Sequence, residues 1–320
     1  VGNLVLVAVC IVAGALGRRL GRLPEATPVV LNRIVIDVAL PAFSLLAVPK
    51  IRVEEGGSPW ELLVPAAAPW VVFGVAALSL GLLGRALGWS RPTIGALVLT
   101  AGLGNTSFVG YPMTEALFGA EGLRVAVLCD QAGSFLVVST LGVVVASFCA
   151  PAEARVGATR GAGPLRRVAQ RLLTFPPFLA FAAALALRGV AYPAWVTVLL
   201  EKLAALVVPL ALLSVGYQLR VDGARLRADG TRLGAALGVK LVVAPAVVAM
   251  LVFGVLGLRG LAAEVTLLEC AMGPMVTAAV LAGEHRNDPE LATLMVGVGI
   301  PASLLTAPAW VWLVRAVFGA

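Results

Sequence analysis

The ionisable side chains set deepest inside apolar runs of this chain are Asp37, Asp130, Lys240 and Glu269. At the centre of a bilayer each costs about 2.5–3.5 kcal/mol on insertion scales, so groups in such places serve a substrate, a coupling ion or one another. Asp130, followed by Gln131, is the first choice for a substrate or coupling contact. Glu269 stands one turn before Ala271-Met272-Gly273-Pro274 and is placed to take up a proton or a cation. Asp37 lies four residues before Pro41. Lys240 sits about 12 Å along its run at 1.5 Å per residue, a depth that snorkelling accounts for in part. The structural alternative for all four is internal ion pairing, for example Lys240 with one carboxylate.

A second kind of chemistry is carried by backbone. The stretch Gly102-Leu103-Gly104-Asn105-Thr106-Ser107-Phe108-Val109-Gly110-Tyr111-Pro112 lies within an apolar run from Pro92 to Phe118. Its glycines and proline disfavour a continuous helix, and its Asn, Thr, Ser and Tyr bring hydrogen-bonding groups. Unwound backbone at membrane depth survives only when buried in protein or lining a wet cavity. A helix resuming at Pro112 would turn its free N–H groups and positive dipole end toward the midplane. Ala271-Met272-Gly273-Pro274 offers a matching break, and two such ends converging form an anion site. The candidate substrate contacts around the two breaks are Asn105, Thr106, Tyr111, Pro112, Met272, Pro274 and Thr277, with Asp37, Asp130, Lys240 and Glu269 as coupling or charge residues. Breaks that merely relieve packing are the alternative.

Elements able to position these residues follow from composition. Of 320 residues 60% are hydrophobic and 13% charged, with a mean hydropathy of +0.99, which indicates an all-α polytopic membrane protein. Ten apolar runs are long enough to cross a bilayer: roughly 1–16, 29–48, 60–83, 92–118, 123–148, 172–190, 199–219, 231–258, 261–284 and 291–318. Loops after odd-numbered runs carry fifteen Lys and Arg, those after even-numbered runs seven. That asymmetry predicts cytoplasmic odd loops and extracytoplasmic N- and C-termini in the cell (cytoplasmic) membrane. A basic linker at 150–174 separates residues 1–149 from 175–320, five runs each, and Pro164–Leu172 within it reads as a helix lying on the inner leaflet. An odd number of crossings per half requires opposite orientation. The pairing of Leu40-Pro41 with Val208-Pro209, and of break with break, predicts two inverted five-helix repeats with broken helices four and nine.

Other functions find little support. The net charge of +7 is spread over short loops, so no nucleic-acid partner is expected. Cys10, Cys129, Cys149 and Cys270 lack metal-ligand spacing, and a single histidine, His285, speaks against a metal centre. No H-E-x-x-H or G-x-S-x-G occurs, so no enzyme and no cofactor beyond a Na⁺ or H⁺ coupling ion is expected. A cleaved leader is not expected, because the apolar stretch starts at Val1 without a basic segment before it.

Asn105-Thr106-x-x-x-Gly110-x-Pro112, followed by Phe118-Gly119, resembles the fourth span of the auxin efflux carrier family, which includes plant PIN proteins and bacterial malonate or malate permeases. Leu40-Pro41-x-x-Ser44 is similar to its second span. Glu269-x-Ala271-Met272-x-Pro274, Asp288-Pro289-Glu290-Leu291-Ala292 and Pro308-x-Trp310 are similar to its ninth and tenth. The resemblance implies an NhaA-like (PIN-like) inverted repeat with crossed helices, elevator-type alternating access and carboxylate substrates. By position, Ser44, Asn105, Thr106, Pro112, Pro274 and the Asp130–Gln131 pair would contact or frame the substrate. Gly273 before Pro274 and Met275-Val276-Thr277 after it depart from the family pattern, so auxin itself is not assumed. The expected function is a secondary-active or uniporter-type carrier for a small organic anion in a lipid bilayer, with a homodimer left open. A Na⁺- or H⁺-coupled cation exchanger or bile-acid-symporter-like carrier is the alternative, and a channel a more distant one because rings of pore-lining polar residues are missing.

Overall fold

The computed structural model describes residues 2–50, 60–151, 170, 172–187, 189–219 and 223–319. The fold is all-helical, 85% helix with no strand among the described residues. The first half contains α1 (Gly2–Arg19), α2 (Thr27–Ala47), α3 (Trp60–Ala86) and α4 (Arg91–Gly102). The 44-residue stretch Thr106–Cys149 follows. Gly119, at φ 67°, divides it into α5 (106–118) and α6 (120–149), a conformation that a residue without Cβ reaches freely. The second half contains α7 (Pro176–Ala186), α8 (Ala194–Gln218), α9 (Gly223–Ala228), α10 (Gly230–Val255), α11 (Leu261–Ala271), α12 (Val276–Glu284) and α13 (Pro289–Phe318). The linker helix expected over 164–172 lies, residues 170 and 172 aside, outside the described residues.

Six helical stretches among the described residues are long and apolar enough to cross a membrane: α2, residues 62–86 of α3, α5 with α6, α8, α10 and α13. The ten apolar runs exceed that number in part because α1 and α7 are not among the six and α5 with α6 counts once, and in part because two runs are broken. α4, α11 and α12 have 12, 11 and 9 residues, about half of what one crossing requires. They end at unwound backbone. One interruption covers 272–275, and the other covers 103–105.

The earlier interruption is displaced from the expected Gly110–Pro112. The chain resumes helix at Thr106 through a π-turn, Thr106–Gly110, and continues through Pro112. Proline lacks the N–H that would bond back along the helix and crowds the preceding turn; the wider π-turn just ahead accommodates it. The same arrangement recurs where Val35–Ala39 precedes Pro41 and Val239–Val243 precedes Pro245. Likewise α12 starts at Val276 rather than at Pro274.

The two interruptions meet. Gly104 and Pro274 form an antiparallel bridge; the Asn105 amide donates to Gly273 O at 2.8 Å and the Met275 amide to Leu103 O at 2.9 Å. Backbone that would otherwise be unsatisfied in lipid thus bonds to itself. On one side α3, α4, α6, α10, α12 and α13 pack around Leu97, Leu99, Leu281 and Met295. On the other α1, α5, α8, α11 and α13 enclose Met113, Leu212, Leu268 and Ile300. α1 and α8 run backbone to backbone: a Cβ on Gly14 would land on Leu213 O, and one on Gly216 on Ile11 O. Outward faces carry exposed Val9, Trp195, Met250, Leu305 and Trp312, a surface suited to lipid rather than water.

Candidate functional site

Asn105 caps the first turn of α5. Its Oδ1 accepts from the Phe108 amide at 3.2 Å, which orients the side-chain amide and turns Nδ2 away from the helix. Asn105 is 2% exposed, and Nδ2 has no hydrogen-bond partner among the described residues. The residue forms part of the wall of a cavity of about 280 Å³. Ser107 and Phe108 from the start of α5, and Val276 and Thr277 from the start of α12, line the same cavity. First-turn amides have no acceptor within their own helix, so two helix N-termini with their positive dipole ends face one space.

Asp130 is the hub that holds this wall in place. It lies in the π-helical segment Leu128–Ser134 of α6. Its Oδ1 accepts from Thr106 Oγ1 and Ser107 Oγ, each at 2.5 Å. Its Oδ2 accepts from Tyr111 Oη at 3.0 Å and Gln131 Nε2 at 2.6 Å. Four donors match the acceptor sites of a carboxylate. They fasten α5, from its first residue to its second turn, onto α6. Thr106, Tyr111 and Gln131 therefore bond to Asp130, and none of the three is on the wall of this cavity.

Glu269, fully buried in α11, accepts from Thr114 Oγ1 at 2.7 Å, while its Oε2 has no partner among the described residues. The carboxylate lies against Gly110, where a Cβ would collide with it. Lys240, also fully buried, does not form the ion pair that is the structural alternative for it. Its Nζ donates to Cys270 O at 3.4 Å, and the ion pairs among the described residues involve other groups. Asp37 is exposed and stands apart from the cavity wall, so the structure does not bring it to the site. Ser44 is buried in α2, one turn beyond the cavity-lining Leu40. Pro112, Met272 and Pro274 shape the helix breaks, while Thr277 is on the wall and exposed.

Ser139, Phe135 and Phe175 line the cavity as well, and sequence reasoning did not single them out. Ser139 is nine residues after Asp130, about two and a half α-helical turns, which would set the two on opposite faces. The π-segments Leu128–Ser134 and Val138–Gly142 slip the register and bring both to one side. A second cavity, of about 500 Å³, adjoins Phe43, Tyr111, Glu115, Arg124 and Glu201. It follows the first along α2 and α5: residues 36 and 40, then 107 and 108, line one, and 43, 46 and 111 the other. On the wall of the second cavity the rings of Phe43 and Tyr111 are 5.2 Å apart.

Residues 2–157 and 164–311 match the family model Mem_trans, described as a membrane transport protein. An uncharacterized transporter of Methanothermobacter thermautotrophicus is 30% identical over 311 residues, 95% of each chain. An uncharacterized transporter of Methanocaldococcus jannaschii is 26% identical over 318 residues, 96% of each chain.

Proposed function

The chain belongs to the Mem_trans family of membrane transport proteins, the auxin efflux carrier family, and from that premise we propose that it carries a small organic anion, a carboxylate of the malonate or malate class, across the cytoplasmic membrane. One observation carries the reading: Asn105, whose buried Nδ2 is a donor without a partner among the described residues, belongs to the wall of a cavity shared by two helix N-termini. Donors and positive dipole ends converging on one space suit a carboxylate. The cation-exchange alternative is weakened because all four acceptor positions of Asp130 are taken by the protein's own donors.

In this reading Asn105 and Thr277 hold the anion. Thr106, Tyr111 and Gln131 fix Asn105 through Asp130, Pro112, Met272 and Pro274 set the shape of the pocket, and Glu269 serves as a proton-coupling group. Two inverted five-helix halves, 1–149 and 175–320, account for ten apolar runs when the broken helices count as one crossing each. Both termini are then extracytoplasmic. Cavities that follow one another along α2 and α5 support alternating access, and the bonded crossing supports an elevator-type movement of both breaks together.

The test is uptake of radiolabelled malonate and malate into proteoliposomes. A charge-assisted hydrogen bond is worth about 1.5–3 kcal/mol, so Asn105→Ala should lower uptake by about tenfold or more. Parent protein that transports no acid from a screen of mono- and dicarboxylates, or an Asn105→Ala variant that matches the parent, would refute the proposal.

A further inference from the structure

The C-terminal end of α11 turns carbonyl groups toward the crossing. These are the negative end of its dipole, and in a broken-helix carrier such an end is where a coupling cation binds. Here a side chain from the same polypeptide already occupies that position. Lys240 projects from the π-turn Val239–Val243 of α10, is 0% exposed and donates to Cys270 O at 3.4 Å. A Cβ on Gly104 would lie 3.3 Å from Lys240 Nζ, 3.3 Å from Glu269 O and 3.8 Å from Met272 O. The ammonium and the last carbonyls of α11 therefore share one small space beside the first helix break. Glycine at 104 leaves that space open.

We propose that Lys240 is a tethered cation that takes the place of a soluble Na⁺ at the carbonyl end of α11, so that the carrier holds its anion without Na⁺. An ammonium on a four-carbon stem supplies the charge that the carbonyl end attracts, and burial keeps it there. It forms no ion pair with a carboxylate among the described residues, so its charge is directed at backbone dipoles. The inference rests on the carrier reading above and specifies its coupling.

The experiment needs no substrate, so its failure is distinct from a failure of malonate uptake. Thermal melting of the purified full chain in detergent is compared in NaCl, KCl and choline chloride at equal ionic strength. For the parent, the midpoint should be the same in all three salts. Lys240→Met and Lys240→Gln should melt lower in choline and regain about 3 °C or more in NaCl, because a cation bound only by the folded state stabilises it by mass action. A saturable, Na⁺-specific stabilisation of the parent would overturn the proposal. So would variants that melt like the parent in every salt. Variants that fail to fold in all three salts would assign Lys240 to packing alone and would overturn it as well.

Discussion

Replacing Asp130 by Asn tests whether this carboxylate is the fastening point of the site. The Oδ1 and Oδ2 atoms accept four hydrogen bonds, from Thr106, Ser107, Tyr111 and Gln131. An amide keeps one acceptor oxygen and turns an NH₂ toward two donors, so two of the four bonds are lost as drawn. Hydrogen bonds to a charged group contribute about 1.5–3 kcal/mol each, which gives about 3–6 kcal/mol. Two relaxations reduce this. A hydroxyl can rotate to accept from the NH₂, and the Gln131 amide can turn over to present Oε1, which has no partner among the described residues. Allowing for half of the loss to be recovered leaves about 1.5–3 kcal/mol, a fall in melting midpoint of about 2–5 °C for a chain of 320 residues. Because Thr106 and Ser107 flank the cap residue, Asn105 should shift with them and malonate uptake should fall at least as far as in Asn105→Ala. A variant that melts within about 1 °C of the parent and transports normally would show that the four bonds do not position the wall, and Asp130 would lose its place as the hub.

Gly110→Ala should be more disruptive than its single methyl suggests, because the new Cβ meets the Glu269 carboxylate; overpacking of this kind costs about 1–3 kcal/mol. If the collision is the cause, pairing Gly110→Ala with Glu269→Ala should recover much of the lost melting midpoint, whereas strictly additive losses would contradict it. Glu264→Gln should cost about 1.5–3 kcal/mol of stability, read as a lower melting midpoint: Arg315 bonds Glu264 at 2.9 and 2.5 Å, and although the Arg315 side chain is 52% exposed that of Glu264 is only 7% exposed. Uptake should stay within about twofold of the parent; a large loss in uptake would mean that the α11–α13 contact bears on transport.

Membrane character, helical class and the second break were legible in the chain because they depend on local composition and on Gly-Pro pairs. Asn105 was legible too, as an amide in a glycine-rich interruption. The exact start of α5 was not. Pro112 suggests a break at 110–112, yet a π-turn absorbs a proline without unwinding the helix, and the unwound segment falls at 103–105. Side-chain direction was hidden for the same reason: Ser139 shares a cavity with Asp130 only because π-segments alter the 3.6-residue period. Asp37 looked like a buried charge but stands exposed on α2. The partner of Lys240 is a main-chain carbonyl, which no pattern of side chains reveals.

The two main-chain bonds at the crossing, Asn105 to Gly273 and Met275 to Leu103, have a mechanical meaning. Pulling the strands apart would strip both donors and both acceptors of partners in a dry setting, at several kcal/mol for each group left bare. The joint therefore behaves as a rivet rather than a hinge. Whatever travels, the riveted pair travels whole, and the amide protons of Asn105 and Met275 should be among the last in the chain to exchange with deuterium.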